Sequence, residues 1–514
     1  MTDIVLATLN ARYSHASLGL RYLRANLGDL LPRSEILEFV IGARTESIAE
    51  TILARTPVLL GLGVYIWNVE ESTRLVAMLR RLAPDLRIVV GGPEVSHEVS
   101  EQTVCRLAHH VITGPAEHEF AELCRQTLAW KAGSAPRPLT HVIPGGRLEP
   151  DDIRMPYVLY DDRDIAHRHL YVEASRGCPY RCEFCLSALD RTAVPFPLAP
   201  LLDELATLHR RGARRFKFVD RTFNLRIDTS IAILEFFLER IEAHPGDPCF
   251  AHFELVPDHL PERLRELLPR FPAGTLQFEV GIQSWNPEVQ KLISRRQNNA
   301  KAEDNLSWLR EHTQANLHVD LIAGLPGETL ESFGAGFDRL VALRPQEIQV
   351  GILKRLRGAP IDRHTEAFDM RYNPSPPYNV LSTRDIAFAD MQRLARFARY
   401  WELVGNSGRF RNALPLLLGN EPGRRFMQFA DWLYARTRKT HEFAFERLCE
   451  HVRAFLIEGP AVAAEPATQA VLADYAASGA RGKLAFMDAG VRPRDGAAGT
   501  TARARMRQAR HVTV

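Results

Sequence analysis

Two periodicities alternate along the first 130 residues. Apolar, β-prone runs at 4–9, 35–40, 58–66, 87–91 and 110–114 are separated by amphipathic stretches at 18–30, 45–55, 69–82 and 117–131. In the 69–82 stretch, Val69, Leu75, Val76, Leu79 and Leu82 recur near helical spacing. Strands and helices in strict alternation predict a Rossmann-like, doubly wound parallel sheet over residues 1–131, with helices on both faces. Such sheets bind ligands beyond the carboxyl ends of their strands. The segments that fall there are 10–19, 65–68, Gly91-Gly92-Pro93-Glu94 and Gly114-Pro115-Ala116-Glu117. Glycine lets backbone approach a large ligand closely, although Gly91-Gly92-Pro93 serves equally well as a strand-ending turn.

Prolines and glycines crowd residues 132–167, which read as an extended linker, with Asp161-Asp162-Arg163-Asp164 as solvated surface. Alternation then resumes. Strand runs at 169–175, 215–220, 250–255, 276–284, 316–324 and 347–353 are interleaved with helical runs at 198–211, 229–243, 261–268, 287–293, 301–311 and 330–343. Six such repeats over residues 168–373 predict a partial (β/α)6 barrel, whose chemistry belongs at the carboxyl ends of its strands. Pro374-Ser375-Pro376-Pro377 marks a boundary, after which residues 374–462 are helix-rich and aromatic. Their aromatic stripe is read as helix core. Residues 463–514 form an Ala-, Gly- and Arg-rich tail, expected to be flexible beyond Pro493.

Composition narrows the function classes. With 46% apolar and 25% charged residues, the 514-residue chain has a globular balance and room for about three domains. A net charge of +3 makes no electrostatic case for nucleic acid. No apolar run reaches the roughly 18 residues of a membrane span. There is no secretory-type leader pattern, and seven cysteines without paired spacing fit a reducing compartment, so a cytoplasmic location is expected.

Three of those cysteines stand together, in Cys178-Pro179-Tyr180-Arg181-Cys182-Glu183-Phe184-Cys185. Pro179 and Gly177 oppose regular structure, so the segment reads as a loop at the end of a strand. Thiolates at C-x3-C-x2-C spacing can converge on one iron–sulfur cluster, and three ligands leave one iron of a four-iron cluster open. A partial zinc site is the competing reading, but structural zinc takes four ligands and no second pair follows.

The spacing, with an aromatic residue before the last cysteine, resembles the signature of the radical S-adenosylmethionine (radical SAM) enzymes. The resemblance implies that Cys178, Cys182 and Cys185 hold a 4Fe-4S cluster and that the open iron chelates SAM. It implies reductive cleavage of SAM to a 5′-deoxyadenosyl radical, with Phe184 packing near the adenine. Downstream, Phe278-Glu279-Val280-Gly281-Ile282-Gln283-Ser284 resembles the family's E-x-G-x-Q-S strand, which lies along the SAM ribose and methionine. Glu279 and Gln283 are four apart and share a strand face. The resemblance makes Glu279, Gly281, Gln283 and Ser284 SAM contacts. Gly324-Leu325-Pro326-Gly327-Glu328-Thr329 resembles the fifth-strand turn, placing Gly324 and Leu325 against adenine. Arg295-Arg296 meets the SAM carboxylate or is plain exposed helix. Asp220-Arg221-Thr222-Phe223-Asn224 positions SAM or substrate, or Asp220 caps a turn. Glu254 is a SAM contact or a surface carboxylate, and Lys354 is a weaker candidate.

Placed before such a core, the first region resembles the cobalamin-binding domain of cobalamin-dependent radical SAM enzymes. Gly91, Gly92 and Gly114 would then flank the corrin and its nucleotide tail. The fifth-strand turn departs from the family's Gly-Glu-Gly-Glu, and His15 stands one residue too far from Gly19 for the D-x-H-x-x-G cobalt ligand. Ser17 is an N-cap candidate. The C-terminal region loosely resembles an uncharacterised domain of a subgroup of these proteins. The expected function is cobalamin-dependent methylation of an unactivated carbon in a small molecule, with a reductase, flavodoxin or ferredoxin as electron donor. Radical rearrangement or cyclisation without methyl transfer, and a non-catalytic corrinoid or redox sensor, are the alternatives. A methylthiotransferase is disfavoured, because Cys105, Cys124, Cys249 and Cys449 supply no second cluster motif.

Overall fold

The computed structural model describes residues 2–146, 150–190 and 192–486. Arg503, Arg505, Arg507 and Arg510 of the Arg-rich tail lie outside the described residues.

Six parallel strands form the first sheet: β1 (Ile4–Asn10), β2 (Ser34–Val40), β3 (Leu59–Gly63), β4 (Arg87–Gly91), β5 (His110–Thr113) and β6 (Val142–Pro144), in the order β2-β1-β3-β4-β5-β6. Side chains of β1 alternate between the faces, and each face packs a separate core: Val5, Ala7 and Leu9 on one side, Ile4 and Leu6 on the other. Ser17 caps the following helix (Leu18–Ala25) through the Leu20 amide. That helix stops well short of residue 30 because the chain turns at Gly28, with φ +61, and Pro32 follows.

The segment expected to be a linker is structured. Strand β6 pairs in parallel with β5, and Asp164 is buried within the short helix Asp162–His167 rather than solvated. Burial follows from charge pairing. Arg21 reaches Glu38 at 2.8 Å and Asp164 at 2.6 Å, while Arg168 reaches the same two carboxylates at 2.7 and 3.3 Å.

The second sheet is also parallel and six-stranded. Its strands are β7 (Leu170–Val172), β10 (Arg215–Phe218), β11 (Phe250–Leu255), β12 (Leu276–Gln283), β13 (Asn316–Ala323) and β14 (Glu347–Ile352), in chain order across the sheet from one edge to the other. A two-stranded ribbon, β8 (Ser175–Arg176) with β9 (Val194–Pro195), brackets the cysteine loop. Along β12, Leu276, Phe278, Val280 and Ile282 are buried, and the residues between them are half-buried on the opposite face. That alternation turns one row toward the helices and the other toward the barrel interior.

A short antiparallel pair, β15 (Arg371–Tyr372) and β16 (Val380–Ser382), spans the proline-rich stretch. Helices follow at Phe388–Val404, Pro422–Thr437, Phe445–Glu458 and Ala464–Ala477, the last within the stretch read as tail. The aromatic stripe is core: Phe397, Trp401 and Phe426 pack with Phe337 of the barrel helix Leu330–Leu343. One apolar core therefore runs from the barrel into the C-terminal helices.

Candidate active site

The cysteine loop is held from several sides. Gly177 opens it at φ +91, where a Cβ would lie 2.8 Å from the Ala193 nitrogen, so only glycine fits. The Cys178 amide donates to the Asp190 carbonyl at 2.8 Å. Glu183, between the last two cysteines, is buried and joins two distant segments. Its amide donates to the Ile293 carbonyl, and its own carbonyl accepts from the Ile361 amide. Its carboxylate accepts from Ser294 Oγ, from Arg363 Nε at 2.7 Å and pairs with His364 Nε2 at 2.8 Å.

Cys178, Cys182, Cys185 and Phe184 line one open cleft of about 910 Å³ at the carboxyl end of the barrel. Opposite them stand Glu279, Gly281 and Gln283 of β12, Asp320 of β13, Glu254 of β11, Arg221 and the Arg295-Arg296 pair. Among the described residues, no three His, Cys, Asp or Glu side chains converge tightly enough for a single metal ion. The three thiols stand around the cleft instead, and a multi-iron cluster presents each thiolate with a different iron. Burial pushes the Cys178 and Cys182 thiols up, while Arg295, whose Nη1 lies 3.6 Å from Cys182 Sγ, pulls Cys182 the other way. Soft donors, a common cavity and a nearby cation fit an iron–sulfur cluster.

The facing wall separates two carboxyls. Burial works against ionisation of Glu279, but His252 Nε2 at 3.2 Å and Lys217 Nζ at 3.7 Å overcome it and hold the carboxylate ionised. Burial lowers the pKa of His252 against the pull of Glu279, so the imidazole is a polar neighbour of the carboxylate rather than a fixed cation. Asp320 goes the other way: burial, then the charges of Glu279 and Glu254, push its carboxyl far up, and its Oδ1 has no hydrogen-bond partner. The cleft thus presents one carboxylate held ionised, which suits an ammonium group, beside a second whose ionisation is opposed. Glu254 is tied to Arg221 at 2.8 Å. Gln283 sits at φ +69 beside a break in register at Gly281, which turns the strand end into the cleft.

Three expected SAM contacts do not line the cleft. Ser284 is buried and donates to Glu328. Gly324 abuts the C-terminal region: a Cβ there would meet Val380 Cγ1 at 2.5 Å. Leu325 is wholly buried in the shared core. The Gly-Leu-Pro-Gly turn packs the barrel against the following region. Asp220 is likewise outside, buried and accepting from the Ala174 amide at 2.9 Å and from Ser175 Oγ at 2.6 Å, so it anchors the strand that leads into the cysteine loop. Lys354 makes a backbone bridge to Asn379 and does not line the cleft. Asp320, Lys217 and His252 were missed in the sequence. The i, i+2 rule on each strand would have found them as inward-facing polar positions.

A second cleft, of about 810 Å³, lies at the end of the first sheet. Gly91, Gly92 and Gly114 line it with Gly19, Tyr65 and Glu117. Gly92 has φ +112, and a Cβ would fall 2.5 Å from the Val64 carbonyl oxygen. A Cβ on Gly114 would meet nothing within 4 Å and would project into open space. A trough floored by bare backbone suits a bulky, mostly apolar cofactor with a tail. His15 does not line it. Its Nδ1 hydrogen-bonds Tyr171 Oη of the barrel at 2.5 Å, which makes it an interface residue. Arg176, two residues before Cys178, does line it, and bonds Glu117 at 2.6 Å and Glu173 at 2.9 Å. The Gly114–Glu117 turn is therefore tied directly to the cysteine loop's approach.

Comparison with known proteins agrees with this division. The radical SAM superfamily matches residues 172–340, the B12 binding domain residues 4–124, and a protein family of unknown function, DUF4080, residues 366–484. The ribosomal protein uS12 methylthiotransferase RimO of Pelobacter propionicus is 26% identical over 244 residues, 46% of this chain and 52% of its own. The cobalamin-dependent radical SAM methyltransferase TokK of Streptomyces tokunonensis is 26% identical over 356 residues, 63% of this chain and 51% of its own. The chain thus spans about half the length of these curated relatives. In fold it is similar to the cobalamin-dependent S-adenosylmethionine radical enzyme OxsB with aqua-cobalamin bound, at TM-score 0.64 and 14% identity, covering 99% of this chain and 83% of that one. It is also similar to the radical S-adenosylmethionine methyltransferase TsrM of Kitasatospora setae with cobalamin and a 4Fe-4S cluster bound, at TM-score 0.57 and 20% identity, covering 74% of this chain and 82% of that one. A B12 binding domain, a radical SAM domain and a DUF4080 region follow one another along the chain, the architecture of a cobalamin-binding radical SAM protein, with a 4Fe-4S cluster and SAM for the barrel and cobalamin for the first domain.

Proposed function

We propose that the chain methylates an unactivated carbon of a small molecule. The observation that carries this reading is the Glu117–Arg176–Glu173 bridge, which fixes the B12-type cleft to the approach of the cysteine loop. Methyl transfer needs its methyl source and its radical source held in a constant relation, and a buried ionic bridge provides it. When bound, the cofactors supply the chemistry: an electron for the sulfonium of SAM and a transferable methyl group.

The chain's own residues bind and orient. Cys178, Cys182 and Cys185 would hold the cluster. Ionised Glu279 would accept from the SAM ammonium group, Arg295 and Arg296 would face its carboxylate, and Gln283 would reach the ribose. Asp320, pushed toward its protonated form by burial, would offer a donor on the cleft floor, and Phe184 supplies an apolar face. Methylthio transfer is not supported. Cys105, Cys124, Cys249 and Cys449 are buried singly among apolar side chains, and burial pushes each thiol up.

The test is anaerobic reconstitution with iron, sulfide and cobalamin, followed by reduction in the presence of SAM labelled in its methyl group. We expect 5′-deoxyadenosine, labelled product from an extract of small molecules, and a corrin absorption band that survives gel filtration. Cys182→Ala should lose the first two and keep the third. Deoxyadenosine with the label recovered only in methionine and SAM would replace methyl transfer by rearrangement or cyclisation. No deoxyadenosine at all would leave the non-catalytic corrinoid sensor.

A further inference from the structure

The cysteine loop has an outer face as well as the face turned to the cleft. We propose that this outer face is the docking surface of a small acidic one-electron carrier protein; the inference rests on the radical SAM reading, which requires an electron from outside the cleft.

A recess there is floored by Pro179 and Tyr180 and rimmed by Arg181, Lys291, Arg295 and Arg296, and no carboxylate lines it. Arg181, Lys291 and Arg296 are exposed, and none of their side chains makes a hydrogen bond or ion pair with another described residue. Exposed arginines elsewhere on the barrel do pair, as Arg263 with Asp228 and Arg270 with Glu242. With Arg296 shared with the SAM carboxylate, Arg181 and Lys291 remain as unpartnered cations at the recess, and an anionic partner relieves their repulsion. The whole chain carries only +3, so this is a local concentration of charge and not a general basicity.

The recess is also thinly separated from the redox centre. Tyr180, Arg295 and Arg296 line both the recess and the cleft, so one layer of side chains divides them. Arg295 is the same side chain that stands 3.6 Å from Cys182 Sγ. A carrier seated on the recess would touch residues that touch a cluster ligand, and one electron can pass inward while the carrier is oxidised by one electron. An acidic carrier fits the charge, and its small size fits a surface of a few side chains.

The experiment uses the reconstituted full chain, anaerobic, with SAM cleavage driven either by reduced flavodoxin or by titanium(III) citrate. The variants are Lys291→Glu and the double variant Arg181→Gln with Lys291→Glu. We expect the flavodoxin-driven rate to fall about tenfold or more in the double variant, with the titanium-driven rate unchanged. The wild-type flavodoxin-driven rate should also fall as salt rises, because exposed charges are screened. Flavodoxin-driven rates equal to wild type would overturn the proposal, as would retention of an RNA oligonucleotide by these residues with no effect on reduction. If the double variant loses both rates through damage to the loop, Lys291→Gln alone decides: it lies on the helix Pro287–Leu292, outside the cysteine loop. An absence of titanium-driven cleavage in the wild type would refute the radical SAM reading itself and not the docking surface.

Discussion

At the residue scale, the candidate ligands were legible and their supports were not. Cys178, Cys182 and Cys185 announce themselves because cluster chemistry needs thiolates at close spacing. Glu183 gives no such signal, because its partners Ser294, Arg363 and His364 lie more than a hundred residues away. Its removal makes a sharp prediction. Glu183→Ala strands buried donors and frees the loop, which should cost about 2–3 kcal/mol and lower the iron retained after reconstitution. Glu183→Gln keeps an acceptor and should retain most of the iron; equal iron in the Ala variant would show that the staple is dispensable. Asp220 gives a prediction in pH. Burial pushes its carboxyl up to about 7, against hydrogen bonds from Ser175 and Ala174 that favour the ionised form. The unfolded carboxyl titrates near an ordinary value of about 3.9. Between these values the folded chain binds more protons than the unfolded one, so this group makes stability fall as pH rises from about 4 to about 7. Asp220→Asn imitates the protonated acid. In urea unfolding it should match wild type near pH 5 and gain on it near pH 8; parallel curves would reject the assignment.

At the element scale, period and punctuation located nearly every strand of both sheets, because half-buried and doubly buried strands write their environment into the sequence. The 169–175 run failed in part. It shortens to β7 because Asp220 takes the Ala174 amide, and the chain then turns into β8. The 132–167 segment failed more widely. Strand β6 is short, ends in proline and exists only because β5 offers it an edge. The Asp162–His167 helix is charged and buried only because Arg21 and Arg168 are there to meet it. The glycine turns were legible as turns, but their separate jobs were not. Gly92→Ala would force a Cβ against Val64 at a left-handed φ and should destabilise the fold by about 1–3 kcal/mol. Gly114→Ala meets open space at φ +69, so its cost should be near the low end of that range. A bulkier Gly114→Leu should weaken cobalamin retention by more than its loss of thermal stability explains. Melting curves compared with corrin absorbance after gel filtration would separate the two effects.

At the scale of the whole molecule, ionic contacts couple the B12 domain to the barrel, and sequence gave no warning of them because each pairs residues from different regions. Glu94 and Glu98, just beyond the Gly91-Gly92-Pro93 turn, meet Arg357 and Arg355 beyond β14. Glu117 meets Arg176 at the opening of the cysteine loop. Deepest is the four-charge cluster of Arg21, Glu38, Asp164 and Arg168, with no side chain more than 8% exposed. Burial opposes ionisation of Glu38, but Arg21 and the surrounding hydrogen bonds prevail and hold its carboxyl below the usual range. Its share of the stability is therefore present above the unfolded carboxylate's pKa and is lost as pH falls through the lower folded value. Removing one member of such a cluster leaves an excess of buried charge. Arg21→Met should cost about 3 kcal/mol or more, whereas Arg33→Met, which breaks the half-exposed pair with Asp3, should cost under about 1 kcal/mol. If the cluster joins the domains into one cooperative unit, corrin release and loss of far-ultraviolet dichroism coincide on heating the wild type. In Arg21→Met the corrin should leave first, because the first domain loses its hold on the barrel. Coincident transitions in the variant would mean that the Glu94–Arg357 and Glu117–Arg176 contacts suffice to keep the two cofactor domains together.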